Sequence, residues 1–524
     1  MVKGDLDCTL IESLKNPARY PHPAESIRLL ETHISWVLLA GDFVYKIKKP
    51  VDFGFLDFSE LAQRHLFCRE ELRLNRRLAP GLYLAVVGIG GSPRQPVFDA
   101  EPAFEYAVKM QRFAEEDLLD HVLARGALTR QHMQSLAITL AEFHAGLPPA
   151  VADSGYGDAD AVALPARQNF QQLALLLDES HAARLAGLQA ASEQEFASCR
   201  GLFDQRLRAG QVRECHGDLH LGNIVLLDGQ PTPFDGIEFN PALRWIDVMN
   251  DIAFLLMDLQ QRLRPNLAYA FLDAYLQASG DYGGLSVLRF YLGYRAMVMA
   301  KVSAIRAAQL GGQHGLGLCR GYLDLAERFY RAPQPGLLIT HGLPGCGKTT
   351  VSQLILERLG FIRIRSDVER KRLFGIQPQQ ASHSDLGGGI YSPEATVKTY
   401  RHLLQLAGDI LRSGFSVIVD AAFLKQAERG QFLSLAAQLN MPFAIVDIGI
   451  DEALQRQRIN QRRNDASEAD NTVLDLLKGA SEPLTAEERI YAVELHNNGA
   501  VDDLVSQSQV WDKLNRLLLR VEAD

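Results

Sequence analysis

Residues 342–349 read GLPGCGKT, a G-x-x-x-x-G-K-[ST] run, and those residue types at that spacing hold polyphosphates. Glycines at 342, 345 and 347 let the backbone turn successive N–H groups inward, at the positive end of the helix expected to follow. Gly342, Leu343, Pro344, Gly345, Cys346, Gly347, Lys348, Thr349 and Thr350 are therefore the expected nucleotide-binding set. Lys348 would reach the outer phosphates, and the Thr349 hydroxyl would ligate Mg2+. Apolar Leu337 to Thr340 leads in and helix-period Thr349 to Leu359 leads out, which is the strand–loop–helix setting such a loop requires.

A second set of reactive residues lies in HGDLHLGNIVLLDGQPTPFDGIEF at 216–239. Asp228-Gly229 is a two-residue hairpin turn between apolar Ile224–Leu227 and a return strand through Phe234. That turn sets residue 223 opposite residue 234, so Asn223 and Asp235 converge at the hairpin's open end. An amide oxygen and a carboxylate there can share a hard Mg2+, while Asp218 faces an acceptor hydroxyl as its base. Asp218 and Asn223 are separated as the base and metal-binding amide of a kinase catalytic loop are.

The elements that must position these residues fall into two parts. RAPQPG at 331–336 interrupts a helical pattern just before the strand feeding the phosphate loop, and a domain boundary is expected there. Beyond it, strands at Phe361–Arg365, Ser416–Asp420 and Phe443–Ile450 alternate with helices at Thr396–Arg412, through Leu439, and at Glu452–Arg463. This alternation predicts an α/β P-loop domain, 337–524, with a parallel sheet wrapped by helices. In the first 330 residues, strands are expected at Val37–Leu39 and Phe43–Lys48, joined by Ala40-Gly41-Asp42, and at Tyr83–Ile89 and Phe104–Met110. A helix is expected over Ser59–Leu78, and mostly helix after Phe113. The outline is an α+β bilobal kinase-like domain, 1–330, with a small lobe over 1–112 and a helical lobe over 113–330.

The string H-G-D-x-H-x-x-N, filled here by His216 to Asn223, resembles that of the aminoglycoside phosphotransferase-like kinases. The resemblance implies that Asp218 is the catalytic base and that Asn223 and Asp235 bind metal. It gives His216 a structural place and leaves His220 either bracing the loop or touching substrate. Such a kinase also needs a lysine on its third strand and a glutamate from the neighbouring helix. Lys46 is preferred over Lys48, and Glu71 over Glu70, although helix and strand phase leave the alternatives open. No G-x-G-x-x-G occurs near the N-terminus, and Ala40-Gly41-Asp42 would be a short substitute. Asp247 and Asp251, in the segment after the metal-binding acid, are expected to cap a helix or brace the loop.

The second half resembles P-loop kinases such as polynucleotide kinases and zeta toxins. D-x-x-R at Asp367 and Arg370 implies an aspartate taking the acceptor proton and an arginine holding substrate or phosphate. Asp420, at the end of SVIVD, would sit near Mg2+, and Arg458 and Arg462 share one helix face that could close over the transferring phosphoryl group. Nearly the whole chain thus resembles a bacterial fusion of the two kinase types. The fusion implies a bifunctional phosphotransferase using ATP and Mg2+ and acting on hydroxyls of small molecules, sugars or related metabolites among them. An ATP-sensing regulatory protein with one silent site, or a zeta-toxin-like or polynucleotide end kinase, are the other readings.

Composition bounds the partners. The chain has 524 residues, 47% hydrophobic and 22% charged, as an ordinary multidomain globular protein does. A formal net charge of -9 gives no basic field for nucleic acid. Six cysteines lack C-x-x-C spacing, the N-terminus has no apolar signal core, and the longest apolar run, Ile252–Met257, is too short for a membrane. A cytoplasmic protein is expected.

Overall fold

The computed structural model describes residues 3–52, 54, 56–151, 153–310, 313–331, 334–378, 380–382, 384, 388–461 and 470–518. It divides into two compact units, one formed by Met1–Arg167 with Phe203–Asp258 and the other by Gln168–Leu202 with Leu259–Asp524.

The first unit holds a six-stranded antiparallel sheet in the order Ile27–Glu31, Ser35–Ala40, Phe43–Lys48, Glu105–Gln111, Tyr83–Ser92, Gln95–Phe98. Ala40 pairs with Phe43, so the turn is only Gly41-Asp42; Ala40 belongs to its strand because it is fully buried. The Leu61–Asn75 helix lies against this sheet and buries Arg64, Cys68, Glu71, Leu74 and Asn75. The outer strands 27–31 and 95–98 escape sequence reading, since neither shows a clean apolar/polar alternation. Later in the unit, Ile224–Leu227 pairs with Gln230–Pro233 around Asp228 and Gly229, both at positive φ, as a two-residue hairpin loop requires. A further short pair, Val212–Glu214 with Trp245–Asp247, brackets this region.

The second unit is built on a five-stranded parallel sheet ordered Ile362–Arg365, Val417–Asp420, Leu337–His341, Phe443–Gly449, Ala492–His496. Its central strands are buried along their whole length, as sheets covered on both faces are. The last strand, AVELH, was not legible as an element; it reads as surface sequence until Phe443–Gly449 offers a parallel partner. The Pro393–Arg412 helix starts three residues before the expected Thr396, because Ser392 caps the Ala395 N–H at 3.2 Å with Pro393 in the first turn. The helices Pro265–Ser279 and Leu285–Leu310, from before the P-loop sheet in sequence, belong to this same unit. Among the described residues no helix is long and apolar enough to cross a membrane.

Candidate functional site

In the first unit, alternation along Phe43–Lys48 sends Tyr45 and Ile47 into one apolar cluster and leaves Lys46 and Lys48 on the other face. Glu71, fully buried, sits between the two lysines. Its Oε1 lies 2.9 Å from Lys46 Nζ and its Oε2 accepts from Lys48 Nζ at 2.7 Å. Lys46 also donates to Asp235 Oδ1 at 2.5 Å, and Lys48 donates to Glu238. Glu70, one helix position away, pairs with Arg73 at 2.8 Å instead. Burial disfavours charge at Glu71, yet Lys46 and Lys48 overcome it and hold its carboxyl at about 2. At Lys48 burial is likewise outweighed, by Glu238 and Glu71, and its ammonium is held above the ordinary range. Burial wins at Glu238, whose carboxyl is pushed up. Sequence reasoning missed Glu238, because nothing local marks a glutamate for burial.

The hairpin brings the expected loop residues together. Phe234 N–H donates to the Asn223 carbonyl at 2.9 Å, so residue 223 does lie opposite 234. Asn223 Nδ2 donates to Asp218 Oδ2 at 2.8 Å and to the Asp218 carbonyl at 3.0 Å. His220 Nε2 stands 3.6 Å from the same Asp218 oxygen. Asp235 takes φ +60°, and its N–H donates to the Tyr83 hydroxyl at 3.1 Å while Gly236 N–H donates to Asn75 Oδ1 at 2.7 Å. Two side chains from the sheet and helix thereby fix the metal-ligand candidate; neither carried a sequence signal.

Behind the loop, Asp251 accepts from the backbone N–H groups of His216 (3.2 Å) and Gly217 (2.8 Å) and lies 3.1 Å from His144 Nε2. These partners overcome burial and hold its carboxyl at about 2. Asp247 pairs with Arg206 at 2.6 Å and caps the Met249 N–H at 2.8 Å. His216 donates Nε2–H to the Phe234 carbonyl at 2.9 Å and accepts the Asp218 N–H at Nδ1 at 3.3 Å, a pattern only the neutral ring satisfies. Burial lowers its pKa in agreement.

Glu71 and Asp251 together set an acid limit on the first unit. Both folded-state values, about 2, lie below the ordinary carboxylate range of ~3.9–4.3. Their contribution is therefore complete above about pH 4.5 and is lost as pH falls from there through 2. Urea unfolding followed at Trp36 and Trp245 should show a midpoint that falls across that window, and Glu71→Gln should flatten the fall.

In the second unit the phosphate loop connects Leu337–His341 to the Lys348–Leu359 helix. Gly345 and Gly347 hold φ +82° and +92°, and a Cβ on Gly347 would lie 2.1 Å from Asn497 Nδ2. Both positions therefore need glycine. Asn497 and Gln455 donate to the loop carbonyls of Cys346 (2.8 Å) and Pro344 (2.7 Å), holding the loop open around its amides. Lys348 Nζ lies across the loop, 3.1 Å from the Gly342 carbonyl and 3.0 Å from that of Leu343. Cys346 turns its side chain into the core and is 1% exposed; burial pushes its thiol up.

One cavity of about 780 Å³ receives Pro344, Gly345, Gly347, Lys348, Thr349, Thr350, Asp367, Arg370, Asp420 and Arg458. Gly342, Leu343 and Cys346 lie in the loop but do not line it. Arg370 donates Nη1 to the Ile390 carbonyl at 2.7 Å and to Thr396 Oγ1 at 3.2 Å, with its guanidinium over the Tyr391 ring. Asp420 Oδ2 accepts from Ser352 Oγ at 3.1 Å and lies 3.9 Å from Arg365 Nε. Arg458 reaches the cavity from the Glu452–Gln461 helix. Arg462, its expected neighbour, lies outside the described residues. The cavity also has lining residues that sequence reasoning did not name: Arg365, Tyr391, Lys425 and Glu428, with an apolar wall of Val473, Leu476 and Leu477. The volume and the amide-and-lysine rim fit a nucleoside triphosphate, and the oxygen donors of Thr349 and Asp420 fit a hard cation.

Comparison with known proteins finds two family matches along the chain, the first of which includes residues 168–202 and 259–291 of the second unit. A family model described as "Phosphotransferase enzyme family" matches residues 55–291, and one described as "AAA domain" matches residues 337–484. Among solved structures, the GDP complex of wild-type aminoglycoside 2'-phosphotransferase-IIIa is 17% identical, covering 62% of this chain and 98% of that one at a TM-score of 0.39. A gluconokinase from Sinorhizobium meliloti 1021 is 20% identical, covering 36% of this chain and 97% of that one at a TM-score of 0.27. The "Adenylate kinase" of Prochlorococcus marinus is 22% identical over 156 residues, 28% of this chain and 81% of its own. "Uncharacterized protein Rv2004c" of Mycobacterium tuberculosis and "Uncharacterized protein Mb2027c" of Mycobacterium bovis are each 31% identical over 440 residues, 82% of this chain and 86% of theirs. The chain therefore belongs to the family of these mycobacterial proteins, and it is an ATP-dependent phosphotransferase in which a phosphotransferase-family kinase domain is followed by a P-loop kinase domain.

Proposed function

We propose that the protein is bifunctional, with each of two domains (1–330 and 337–524) moving the γ-phosphoryl group of ATP to a hydroxyl of a small molecule, sugars or related metabolites among the acceptors. In the first, Asp218 takes the acceptor's proton, Lys46 and Glu71 organise the phosphates, and Asn223 and Asp235 hold Mg2+. In the second, Asp367 takes the proton, Arg370 holds acceptor or phosphate, and Lys348 with the loop amides holds the polyphosphate. Thr349 and Asp420 would ligate Mg2+ there, and Arg458 would offset charge on the transferring group. Bound Mg2+ supplies charge neutralisation at the phosphate oxygens.

The observation that carries this reading, for the second site, is one cavity that Lys348, Thr349, Asp367, Arg370, Asp420 and Arg458 all line. A base and a phosphate grip on one wall-to-wall space is what direct transfer needs, since phosphoryl transfer is mostly positioning and charge stabilisation. The test is an untargeted small-molecule pool incubated with radiolabelled ATP. The unaltered protein should label two sets of products, Asp218→Ala losing one set and Asp367→Ala the other. Nucleotide binding with no labelled product would end the enzymatic reading of both sites, and a single set lost in only one variant would end bifunctionality.

A further inference from the structure

The phosphate loop is supported by a residue far upstream of it. Asp273, on the Pro265–Ser279 helix, is 4% exposed. Its Oδ2 accepts from Arg363 Nη2 at 2.6 Å and its Oδ1 from Arg363 Nε at 3.2 Å, a two-pronged charge-assisted pair. Arg363, on the Ile362–Arg365 strand, is equally buried and spends its remaining reach on the start of the phosphate-loop helix. Its Nη1 donates to the Thr349 carbonyl at 3.1 Å and to Ser352 Oγ at 3.1 Å, and its Nη2 donates to Gln353 Oε1 at 2.8 Å. Ser352 Oγ in turn lies 3.1 Å from Asp420 Oδ2.

The direction of that chain follows from proton counting. A hydroxyl has one hydrogen and two acceptor lone pairs. The Arg363 N–H occupies an acceptor side of Ser352, so the Ser352 hydrogen is turned away from the guanidinium. It can then reach Asp420 Oδ2, or the Thr349 carbonyl, also 3.1 Å away. The Thr349 carbonyl already receives Arg363, which leaves the charged oxygen of Asp420 as the stronger acceptor. Without the guanidinium the hydroxyl loses this bias.

We propose that Asp273 and Arg363 are positioning residues of the second site, holding Thr349 and Asp420 in the arrangement that takes Mg2+ with the nucleotide. The inference rests on reading 342–349 as a nucleotide site. Asp273 lies inside the stretch matched as a phosphotransferase-family domain and outside the stretch matched as an AAA domain, so the P-loop site takes part of its support from sequence outside its own family match. Two nearby contacts accompany it: Tyr269 of the same helix packs against Gly360, which ends the Lys348–Leu359 helix and where a Cβ would lie 2.7 Å from the tyrosine ring, and Tyr282 Oη, just beyond the Pro265–Ser279 helix, lies 3.5 Å from the Arg363 carbonyl.

The experiment uses the full chain in an Asp235→Asn background, which removes the metal carboxylate of the first site. Titration calorimetry with ATP at a series of Mg2+ concentrations then reads the second. Asp273→Asn is expected to raise the Mg2+ concentration for half-maximal tight binding by about 10–100-fold, the usual effect of losing an outer partner of a metal ligand, and Asp273→Glu to recover part of it. Because Asp273→Asn leaves a buried guanidinium under-paired, a second variant, Asp273→Leu with Arg363→Met, removes both charges and is expected to fold. It should melt near its parent and still show the raised Mg2+ requirement. A folded double variant with the parent's Mg2+ dependence would overturn the proposal. A parent protein that binds no ATP at any Mg2+ concentration, with the Lys348→Ala variant indistinguishable from it, would instead overturn the nucleotide reading itself.

Discussion

Asp218→Asn is expected to slow phosphoryl transfer at the first site by about 10²–10⁴-fold, the usual worth of a positioned general base, with little change in ATP affinity. The substitution keeps the shape of the side chain, and its amide oxygen can still accept from Asn223 Nδ2, which holds Asp218 at 2.8 Å. What it loses is the capacity to take a proton from the acceptor. The measurement is single-turnover labelling in an Asp367→Asn background, so that only the first site contributes, alongside calorimetry for ATP. A rate within threefold of the parent would remove Asp218 from the chemistry, and a matching loss of ATP affinity would make it a binding residue instead.

Glu71→Ala should destabilise the first unit strongly. The carboxylate serves two ammonium groups at once, Lys46 at 2.9 Å and the fully buried Lys48 at 2.7 Å. Truncating it leaves Lys48, fully buried, with Glu238 as its remaining counter-charge. Breaking a buried pair by removing one partner costs about 3–5 kcal/mol, enough to lower Tm by roughly 10 °C in a unit of this size. Arg28→Ala is the control: its pair with Glu115 is exposed on both sides, and such pairs contribute little. Differential scanning calorimetry should separate the two variants plainly. Equal melting temperatures for Glu71→Ala and the parent would mean that the cluster is not built as a mutual counter-charge.

How much of this was legible in the sequence depended on how local each feature is. The phosphate loop is written in eight consecutive residues because its glycines, lysine and threonine act through their own backbone, and the Asp228-Gly229 turn sets the register that faces residue 223 with 234. Asp251 as a helix cap or loop brace was also within reach, because its segment resembles the helix that follows the metal-binding acid in phosphotransferase-like kinases. The choice between Glu70 and Glu71 depended on one step of helix phase, which the charged, weakly amphipathic Leu61–Asn75 segment does not set. The Glu238 pair with Lys48 and the Asp273 pair with Arg363 were out of reach. Each joins residues 90 or more positions apart, and a charged residue destined for burial looks the same in sequence as one destined for solvent. Strand Ala492–His496 was missed for a related reason, being a short edge whose register comes entirely from its neighbour.

The lysine–glutamate cluster gathers three carboxyl groups around two ammonium groups. Among the described residues Lys46 and Lys48 join Glu71, Glu238 and Asp235, and Asp235 is the outermost of the three acids, its side chain 40% exposed, so an incoming bare polyphosphate would meet its carboxylate first. A nucleotide that arrives already wrapped around its cation meets attraction there instead. On the proposed reading of this site, the Asp235 carboxylate would favour the cation-bound form of the nucleotide over the bare one before any bond is rearranged.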